Sequence, residues 1–347
     1  MTTSVPLVSV LIPTYNRANS LPKAVRSILE GDFQDFELLI VDDGSTDNTA
    51  EVIRSLAGES DKITPMSLST NQGLVAALNT GLDAARGNYI ARLDSSEAAR
   101  PDRLTKQVAA LNADDQLCAV GSLFTLKTDR NGPIPAGFDR WLDILRTFDQ
   151  PDRVIEDFTL GCPLPHPSVT FRRELKGRVW EYRPDRFPAE DYDLWARMIL
   201  AGGKIRVLQE PLIELHIDPE GISHANRDAQ IAMTLRIKLD FIYDCYGLRE
   251  TTPSRFFIFG AREFGRKLAE ILTGPPYRAQ VHAFVDLDTA LQGTRIDQRP
   301  VLTPDELEAD LGPGDKLISI WNVQRREITV FLDALGLQKN RDYFVFS

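Results

Sequence analysis

The sequence predicts an α/β protein: a Rossmann-like mixed sheet flanked by helices, followed by a second, smaller Rossmann-like α/β domain. Short apolar runs alternate with helical patterns through the N-terminal half, which is typical of a sheet wrapped by helices. The chain has 347 residues, more than the roughly 100 to 200 residues of a usual domain. A new strand, turn and helix pattern starts near residue 255. Two α/β domains account for all three observations.

Local apolar patterns predict the elements of the first domain in order. Val8–Ile12 and Phe36–Val41 are apolar runs of strand length, and a polar loop follows each of them. Between them, apolar residues from Leu21 to Leu29 recur at the spacing of a helix. The same two patterns continue up to a loosely patterned stretch at 127–160. They predict helices at 50–56, 74–85 and 102–111, and strands at 63–68, 89–94 and 117–126.

The elements after residue 160 lead to a domain boundary. Strands are predicted at 169–172, 205–208 and 212–217, with a helix at 191–200 and a long amphipathic helix at 225–246. Strands at 255–260, 281–286, 316–321 and 343–346, with three helices between them, form the second domain. We therefore divide the chain into a first domain at 1–224, a helical linker at 225–254 and a C-terminal domain at 255–347.

Composition limits the classes of partner. The formal charge of −10 at pH 7 argues against broad affinity for nucleic acid or an anionic membrane surface. Cys118, Cys162 and Cys245 form no CxxC pair, so a reducing, cytoplasmic setting fits better than a disulfide framework. No apolar stretch approaches the roughly 20 residues that span a bilayer. We expect a soluble protein without a transmembrane segment, whereas peripheral membrane contact stays open.

Acidic residues collect where predicted strands end and loops begin. They are Asp42, Asp43, Asp94, Glu97, Glu190, Asp191 and Asp218. Open α/β sheets bind ligands at the carboxyl ends of their strands, and carboxylates there suit a divalent cation with an anionic ligand such as a diphosphate. Asp47 is better explained as a turn former. Asp43 and Asp94 each end a buried strand, so we predict that both are functional.

Six motifs follow one another in a recognisable order. They are VLIPTYNR at 10–17, LIVDDGSTD at 39–47, NQG at 71–73, PDRL at 101–104, HPSV at 166–169 and EDYDLW at 190–195. The set resembles the family 2 glycosyltransferases of the GT-A fold over roughly residues 5 to 225. Several motifs in order are more specific than any single match. The resemblance implies transfer of a sugar from a nucleotide diphosphate sugar, usually a UDP-sugar, to a hydroxyl acceptor with inversion.

The resemblance also implies roles for single residues. Asp191, beside Glu190, would be the general base that takes the proton from the acceptor hydroxyl, whose oxygen attacks the anomeric carbon opposite the diphosphate. A helix-start preference also explains Asp191, and both explanations hold together. His166 and Trp195 would lie in the acceptor region, as hydrogen-bonded scaffold and as core or pocket wall. The nucleotide-sugar pocket would be formed by Pro13, Thr14, Tyr15, Arg17, Asp43, Asn71, Gly73, Arg92 and Asp94.

The metal motif departs from the family pattern. Asp94 is followed by Ser95, Ser96 and Glu97, whereas the family has a carboxylate where Ser96 stands. A serine hydroxyl is a much weaker ligand for a hard dication. We predict Asp94, Glu97 and Asp218 as ligands of Mn²⁺ or Mg²⁺, the last two replacing the charge missing at Ser96. A rebuilt site, a weak metal dependence and a loss of catalysis are the three alternatives.

The C-terminal domain resembles small nucleotide-sugar-binding domains. Residues 257–265 look like a GxGxxG turn in which Arg262 replaces the middle glycine, and Asp286 ends the next strand as a ribose-binding acid would. Arg262 would obstruct a pyrophosphate or bind one of its phosphates. An interaction module that forms a homo-oligomer is the alternative, and we prefer it.

Two functions are carried forward. The first is an inverting transferase that acts on a glycan, a lipid-linked acceptor or another hydroxyl acceptor in polysaccharide or glycoconjugate assembly. The second is a catalytically silent nucleotide-sugar-binding regulator or partner subunit. An enzyme whose main activity lies in the C-terminal domain is a weaker third alternative, because Arg262 departs from the GxGxxG pattern.

Overall fold

The computed structural model describes residues 5–127, 138–216, 226–251, 255–320 and 325–347. The chain divides into two compact units. The first comprises Met1–Ile155 and Pro163–Arg227, and the second comprises Glu156–Cys162 and Asp228–Ser347. Each unit contains its own sheet, so the predicted fold class, a mixed sheet with helices followed by a smaller α/β sheet, is confirmed.

The first unit contains strands β1 to β10 and helices α1 to α7, except for Glu156 at the end of α6. The strands are Val8–Thr14, Phe36–Asp42, Ile63–Ser67, Tyr89–Arg92, Ala98–Ala99, Leu117–Lys127, Thr170–Arg172, Glu174–Leu175, Arg178–Val179 and Lys204–His216. The helices are Leu21–Leu29, Thr49–Glu59, Leu74–Ala84, Arg103–Ala113, Phe138–Thr147, Pro151–Glu156 and Glu190–Leu200.

Eight of these strands form one mixed sheet, in the order β3-β2-β1-β4-β7-β6-β10-β5. Strands β3, β2, β1 and β4 run parallel, whereas β7 is antiparallel to both β4 and β6. Every residue of β1 and β2 is buried, as expected for parallel strands covered on both faces. The carboxyl ends of β2, β1 and β4 therefore meet at one edge of the sheet.

Strand β10 differs from the prediction. The sequence pattern predicts separate strands at 205–208 and 212–217, but the structure has one strand at Lys204–His216. Its pairing with β6 shifts register between Leu208 and Ile213. Pro211 lies in that interval and has no N–H to donate to the ladder, which is consistent with the register shift. The exposed residues Gln209 and Glu210 interrupt the apolar pattern there.

The second unit contains a six-stranded sheet in the order β13-β14-β12-β11-β15-β16. Strands β11 to β16 are Phe256–Phe259, Val281–Val285, Arg295–Ile296, Arg299–Leu302, Lys316–Ile320 and Tyr343–Phe346. Helices α8 to α12 are Arg227–Cys245, Leu248–Thr251, Glu263–Thr273, Pro304–Asp310 and Arg325–Ala334. In the described ranges, no helix is long and apolar enough to cross a membrane.

Residues 156–162 pack against the second sheet. The Phe158 ring lies 4.3 Å from the ring of Phe241 on α8, centroid to centroid. The Thr159 hydroxyl donates a 2.6 Å hydrogen bond to the Val345 carbonyl on β16. Helix α8, which the sequence analysis assigns to the linker, buries Leu235 and Leu239 in this unit. The sequence pattern did not indicate that residues 156–162 belong to the second unit.

Candidate functional site

The candidate site lies where β1, β2 and β4 end side by side. The parallel register pairs Thr14 with Asp42 and Leu11 with Arg92. The backbone continues this pairing past the strand ends, because the Asp43 N–H donates to the Thr14 carbonyl at 2.9 Å. Three predicted site residues, Thr14, Asp43 and Asp94, are therefore carried on neighbouring strand ends. This is the edge at which open α/β sheets bind their ligands.

Asp43 connects two of the sequence motifs. It is buried, and its two carboxylate oxygens accept hydrogen bonds from the backbone N–H groups of Gln72 at 2.7 Å and Gly73 at 2.9 Å. Gly44, at φ +68°, lets the chain turn beneath this loop, because a Cβ there would lie 2.5 Å from the Thr70 carbonyl carbon. The loop that carries Asn71 and Gly73 is thus held against the end of β2. The place of Asp43 in a nucleotide-sugar pocket stays a prediction.

The loop after β1 exposes side chains on a fixed backbone. Asn16 adopts φ +51°, and its side-chain oxygen accepts a 2.8 Å hydrogen bond from the Thr46 N–H. The Arg17 N–H donates to the Thr49 hydroxyl at 2.9 Å. The Tyr15 side chain is 42% exposed, and Arg17 is also exposed. An exposed aromatic ring and a guanidinium beside the strand ends are compatible with the nucleotide-sugar pocket predicted to include this loop.

Arg92 and Asp94 form an ion pair at the end of β4. The Arg92 Nη2 lies 2.5 Å from the Asp94 Oδ1, and the Arg92 side chain is 3% exposed against 36% for Asp94. The other two guanidinium nitrogens of Arg92, Nε and Nη1, are buried and have no hydrogen-bond partner among the residues that the structure describes. Asp94 therefore keeps an accessible carboxylate edge, while Arg92 supports it from inside.

Glu97 is already engaged within the protein. Its Oε2 accepts a 2.5 Å hydrogen bond from the His216 N–H on β10, and its Oε1 accepts one from the Ser96 hydroxyl at 3.2 Å. Burial and the neighbouring Asp94 carboxylate raise the pKa of Glu97 to about 8. A carboxyl that is mostly protonated at pH 7 brings little charge to a cation.

The described residues do not by themselves form a site for a dication. Asp218, the third predicted ligand, lies outside them. Across 5–127, 138–216, 226–251, 255–320 and 325–347, no group of three or more His, Cys, Asp or Glu residues is arranged to hold a metal ion. Asp94 offers one partly exposed carboxylate, and one oxygen of it is paired with Arg92. This donor set is too small for the six or more oxygen ligands that hard dications prefer.

The acid pair lies at the start of α7. Glu190 is the first residue of this helix and is buried, and burial together with the adjacent Asp191 raises its pKa to about 7. Its Oε2 has no hydrogen-bond partner within the described part of the chain. Asp191 is half-buried, and its Oδ1 accepts a 2.7 Å hydrogen bond from the Tyr192 N–H. The Asp191 carboxylate is thus partly accessible at the start of a helix. Its role as a general base stays a prediction.

His166 and Trp195 lie close to each other. The His166 Nε2 lies 2.9 Å from the Tyr182 hydroxyl, and burial with the charge of Arg92 holds the pKa of His166 well below its usual range. Its imidazole is therefore neutral at pH 7. Trp195 is fully buried, with its ring centroid 6.2 Å from that of His166. The structure thus agrees with the scaffold and core roles expected of these two residues.

Two residues near the site were not assigned a role from sequence. Tyr182 is buried, and its backbone N–H and carbonyl bind the Asn79 side chain at 2.8 Å. Arg103, from the PDRL motif, is 1% exposed and donates from Nη2 to the Arg92 carbonyl at 2.7 Å. Arg103 is part of the PDRL motif, but only the structure shows that its side chain binds the backbone of β4. No local signal marked Tyr182.

The turn after β11 in the second unit is closed by its own residues. A Cβ on Gly265 would lie 1.8 Å from the Gly260 carbonyl oxygen, so this glycine lets α10 approach the strand. Asp286 accepts hydrogen bonds from the Ala261 N–H at 2.8 Å and the Asp288 N–H at 2.9 Å. Arg262 pairs with Asp288 at 2.7 Å and is 78% exposed. Both features that suggested nucleotide binding therefore have internal partners.

Comparison with known proteins supports the fold. Two solved structures share the fold. One is S. aureus TarS 1-349 in complex with UDP-GlcNAc, with a TM-score of 0.53, 21% identity, and coverage of 77% of this chain and 71% of that chain. The other is the mannosyltransferase PcManGT from Pyrobaculum calidifontis in complex with GDP-Man and Mn²⁺. Its TM-score is 0.54, at 20% identity over 80% of this chain and 83% of that chain. These neighbours confirm the predicted GT-A fold class.

Sequence comparison identifies the family. The putative glycosyltransferase EpsE of Bacillus subtilis (strain 168) is 34% identical over 220 residues, which cover 62% of this chain and 74% of that relative. Residues 9–174 match the family model described as glycosyl transferase family 2, which spans five of the six motifs. The chain therefore belongs to glycosyltransferase family 2.

Proposed function

We propose that the protein is an inverting glycosyltransferase that transfers a sugar from a nucleotide diphosphate sugar to a hydroxyl acceptor. The proposed donor is a UDP-sugar. The observation that carries this proposal is the arrangement of Asp43 and Asp94 at the ends of β2 and β4, the two strands on either side of β1, with the Glu190–Asp191 pair at a helix start. The complexes of TarS with UDP-GlcNAc and of PcManGT with GDP-Man support a nucleotide sugar as donor.

The chain's own residues supply positioning and proton transfer in this proposal. Tyr15, Arg17 and Asp43 hold the base and ribose, and Asp94 faces the donor from the end of β4. Asp191 takes the proton of the acceptor hydroxyl as its oxygen attacks the anomeric carbon opposite the diphosphate. A positioned base contributes about 10²- to 10⁴-fold to the rate. The proton ends on Asp191, and the nucleotide diphosphate leaves with the bonding electrons.

The proposed cofactor is Mn²⁺ or Mg²⁺, bound weakly. PcManGT was solved with Mn²⁺, and a dication would neutralise charge on the leaving diphosphate. In this chain Asp94 would hold it, with Asp218 as the proposed second carboxylate. The engaged, largely protonated Glu97 and the neutral Ser96 are the reasons to expect low affinity. The acceptor is proposed to be a glycan, a lipid-linked or another hydroxyl compound in polysaccharide or glycoconjugate assembly.

The test is transfer by the Asp191→Asn variant. The wild-type protein is incubated with a panel of UDP- and GDP-sugars, with and without Mn²⁺, and the released nucleotide is measured. We expect one donor to be hydrolysed or transferred, and Asp191→Asn to lose at least about 100-fold in turnover while UDP affinity changes little. The matched control is Asp185→Asn, whose carboxylate is 76% exposed on a turn before α7.

The alternative function predicts a different outcome from the same experiment. If the protein is a catalytically silent regulator, the wild-type protein should bind UDP or GDP but release no nucleotide from any donor sugar. Unchanged turnover in Asp191→Asn would instead remove Asp191 from the role of base.

A further inference from the structure

Arg103, the first residue of α4, is a buried cation whose hydrogen-bond partners are uncharged. It is 1% exposed, and no carboxylate pairs with it in the part of the chain that the structure describes. Its Nη2 donates to the Arg92 carbonyl at 2.7 Å and the Val169 carbonyl at 3.2 Å. Its Nε donates to the Gln107 Oε1 at 3.1 Å. A buried charge without a counter-ion is destabilising unless hydrogen bonds offset the cost, so these three bonds are what holds Arg103 in place.

Gln107, one turn further along α4, extends this network. It is fully buried, and its Nε2 donates to the Ser168 carbonyl at 2.7 Å and to the Val120 carbonyl at 3.2 Å. Its Oε1 also accepts a 2.7 Å hydrogen bond from the Thr170 hydroxyl. Residues four apart lie on the same face of a helix. The side chains of Arg103 and Gln107 therefore both bind the segment that leads into β7.

The carbonyls bound by this pair lie next to two predicted site residues. Arg92 is the last residue of β4, two residues before Asp94. Ser168 ends the one-turn 3₁₀ helix His166–Ser168, the His166 turn. The His166 Nε2 lies 2.9 Å from the Tyr182 hydroxyl. The end of β4 and the end of the His166 turn are thus bound by two side chains of the same helix.

We infer that Arg103 and Gln107 are positioning residues that fix the end of β4 relative to the His166 turn. A guanidinium suits this task because it presents several donors in a rigid plane. The inference rests on the proposed function for its consequence in turnover, because Asp94 is proposed to face the donor and His166 to lie in the acceptor region. Misplacement of reacting groups by about 1 Å can cost roughly 100-fold in rate. The contacts themselves are independent of the proposed function.

The contacts are tested by NMR of the histidine side chains, of which the chain has four. Arg103→Lys keeps the charge but replaces the planar set of donors with a single nitrogen, so it cannot reproduce the three hydrogen bonds in the same geometry. Gln107→Leu removes the donor to the Ser168 carbonyl. Both variants should shift the imidazole ¹⁵N signals of His166, because its contact with Tyr182 depends on the position of the turn.

The matched control is Arg172→Lys. Arg172 lies at the other end of β7, and it too donates to backbone carbonyls, those of Leu117 at 3.0 Å and Leu111 at 2.6 Å. The control should leave the His166 signals unchanged. Unchanged signals in either test variant would overturn the inference, and so would an equal shift in the control. If Arg103→Lys does not fold, Gln107→Leu alone decides.

The positioning role is tested by comparing turnover with nucleotide affinity. With a donor identified from the panel of UDP- and GDP-sugars, Gln107→Leu should lower turnover roughly 10- to 100-fold. Its affinity for UDP should change little, because Arg103 still binds the end of β4. Arg172→Lys should keep the turnover of wild type. Wild-type turnover in Gln107→Leu would reduce the pair to structural residues and contradict the inference. If the wild-type protein releases no nucleotide from any donor, the proposed function fails, and the His166 signals alone decide whether the pair holds the turn.

Discussion

Four carboxyl groups at the site differ in what surrounds them. Asp43 is bound by two backbone N–H groups, and Asp94 by a guanidinium. Glu190 is buried beside another acid, whereas Asp191 is half-buried at the helix start. Different surroundings assign different protonation states to chemically similar groups. At the residue scale, the protein therefore binds Asp43 and Asp94 through its own groups, buries Glu190 and leaves Asp191 partly accessible.

Glu190→Gln should change how stability depends on pH. The pKa of Glu190 is raised from 4.5 to about 7 in the folded protein. Between these values the folded state binds more protons than the unfolded state, so the free energy of unfolding falls as pH rises through this window. Glutamine cannot ionise. Between pH 5 and pH 8, the free energy of unfolding of the variant should therefore fall by about 1 to 3 kcal/mol less than that of wild type.

Urea unfolding at pH 5 and pH 8 measures this difference. Glu174→Gln, at an exposed position on β8, is the matched control and should follow wild type. An equal pH dependence in wild type and Glu190→Gln would show that Glu190 ionises normally.

Ser96→Asp should strengthen metal binding. The change places a second carboxylate two residues after Asp94, where the family pattern has one, and it should raise Mn²⁺ affinity roughly 10- to 100-fold. Calorimetric titration with Mn²⁺ measures the affinity. Ser55→Asp, on the exposed face of α2, adds the same charge away from the strand ends and should have no effect. Absence of Mn²⁺ binding in Ser96→Asp would make a rebuilt cation site untenable.

At the scale of elements, the site depends on turns that bring separate motifs together. The turn after β2 presents both oxygens of Asp43 to the loop before α3, and the start of α7 presents the acid pair. The buried face of α7 includes Leu194, Trp195 and Met198, which anchor the helix in the core. The loops therefore contribute the contacts, and the strands and helices keep them in position.

Gly44→Ala should disrupt the turn after β2. Gly44 has φ +68°, and the added Cβ would lie 2.5 Å from a carbonyl carbon of Thr70. We expect a loss of about 1 to 3 kcal/mol of unfolding free energy and weaker UDP binding, because the Asp43 loop must move. The matched control is Gly58→Ala in α2, where a Cβ meets nothing within 4 Å. That change should stabilise the protein by up to about 1 kcal/mol. A neutral Gly44→Ala would show that the turn can relax.

At the scale of the whole molecule, the chain forms two units and passes from one to the other three times. Residues 156–162 leave the first unit, pack in the second and return. Asp157 is 1% exposed and forms an ion pair with Lys339, and the Asn340 side chain donates to the Glu156 carbonyl at 2.9 Å. The second sheet, whose first strand begins at Phe256, therefore depends on a segment that ends at Cys162.

Asp157→Asn should destabilise the second unit selectively. Removing one partner of a buried ion pair costs about 3 to 5 kcal/mol, so amides of β16 should exchange hydrogen faster. Amides of β1 should keep their protection, because β1 belongs to the other unit. Hydrogen exchange read by mass spectrometry measures both strands. Asp152→Asn, with an 83% exposed side chain, is the control. Equal loss of protection in β1 and β16 would indicate that the units unfold together.

The sequence by itself determined the parts of the protein whose signals are local. Strands such as Val8–Thr14 and Phe36–Asp42 follow from contiguous apolar runs, and the loops after them follow from residues that turn the chain. The motifs around Asp43 and Asp191 pointed to the family for the same reason. Each motif is short, and its order along the chain is visible without a structure.

Only the tertiary structure decided the features that depend on distant neighbours. Three such features depend on contacts between positions far apart in sequence. They are the burial of Arg92 and Glu190, the hydrogen bond from the His216 N–H to Glu97, and the packing of residues 156–162 in the second unit. Pairing, desolvation and charge coupling depend on these contacts and have no periodicity to detect. The sequence thus named the acids of the site, whereas the fold set which of them are paired, protonated or accessible.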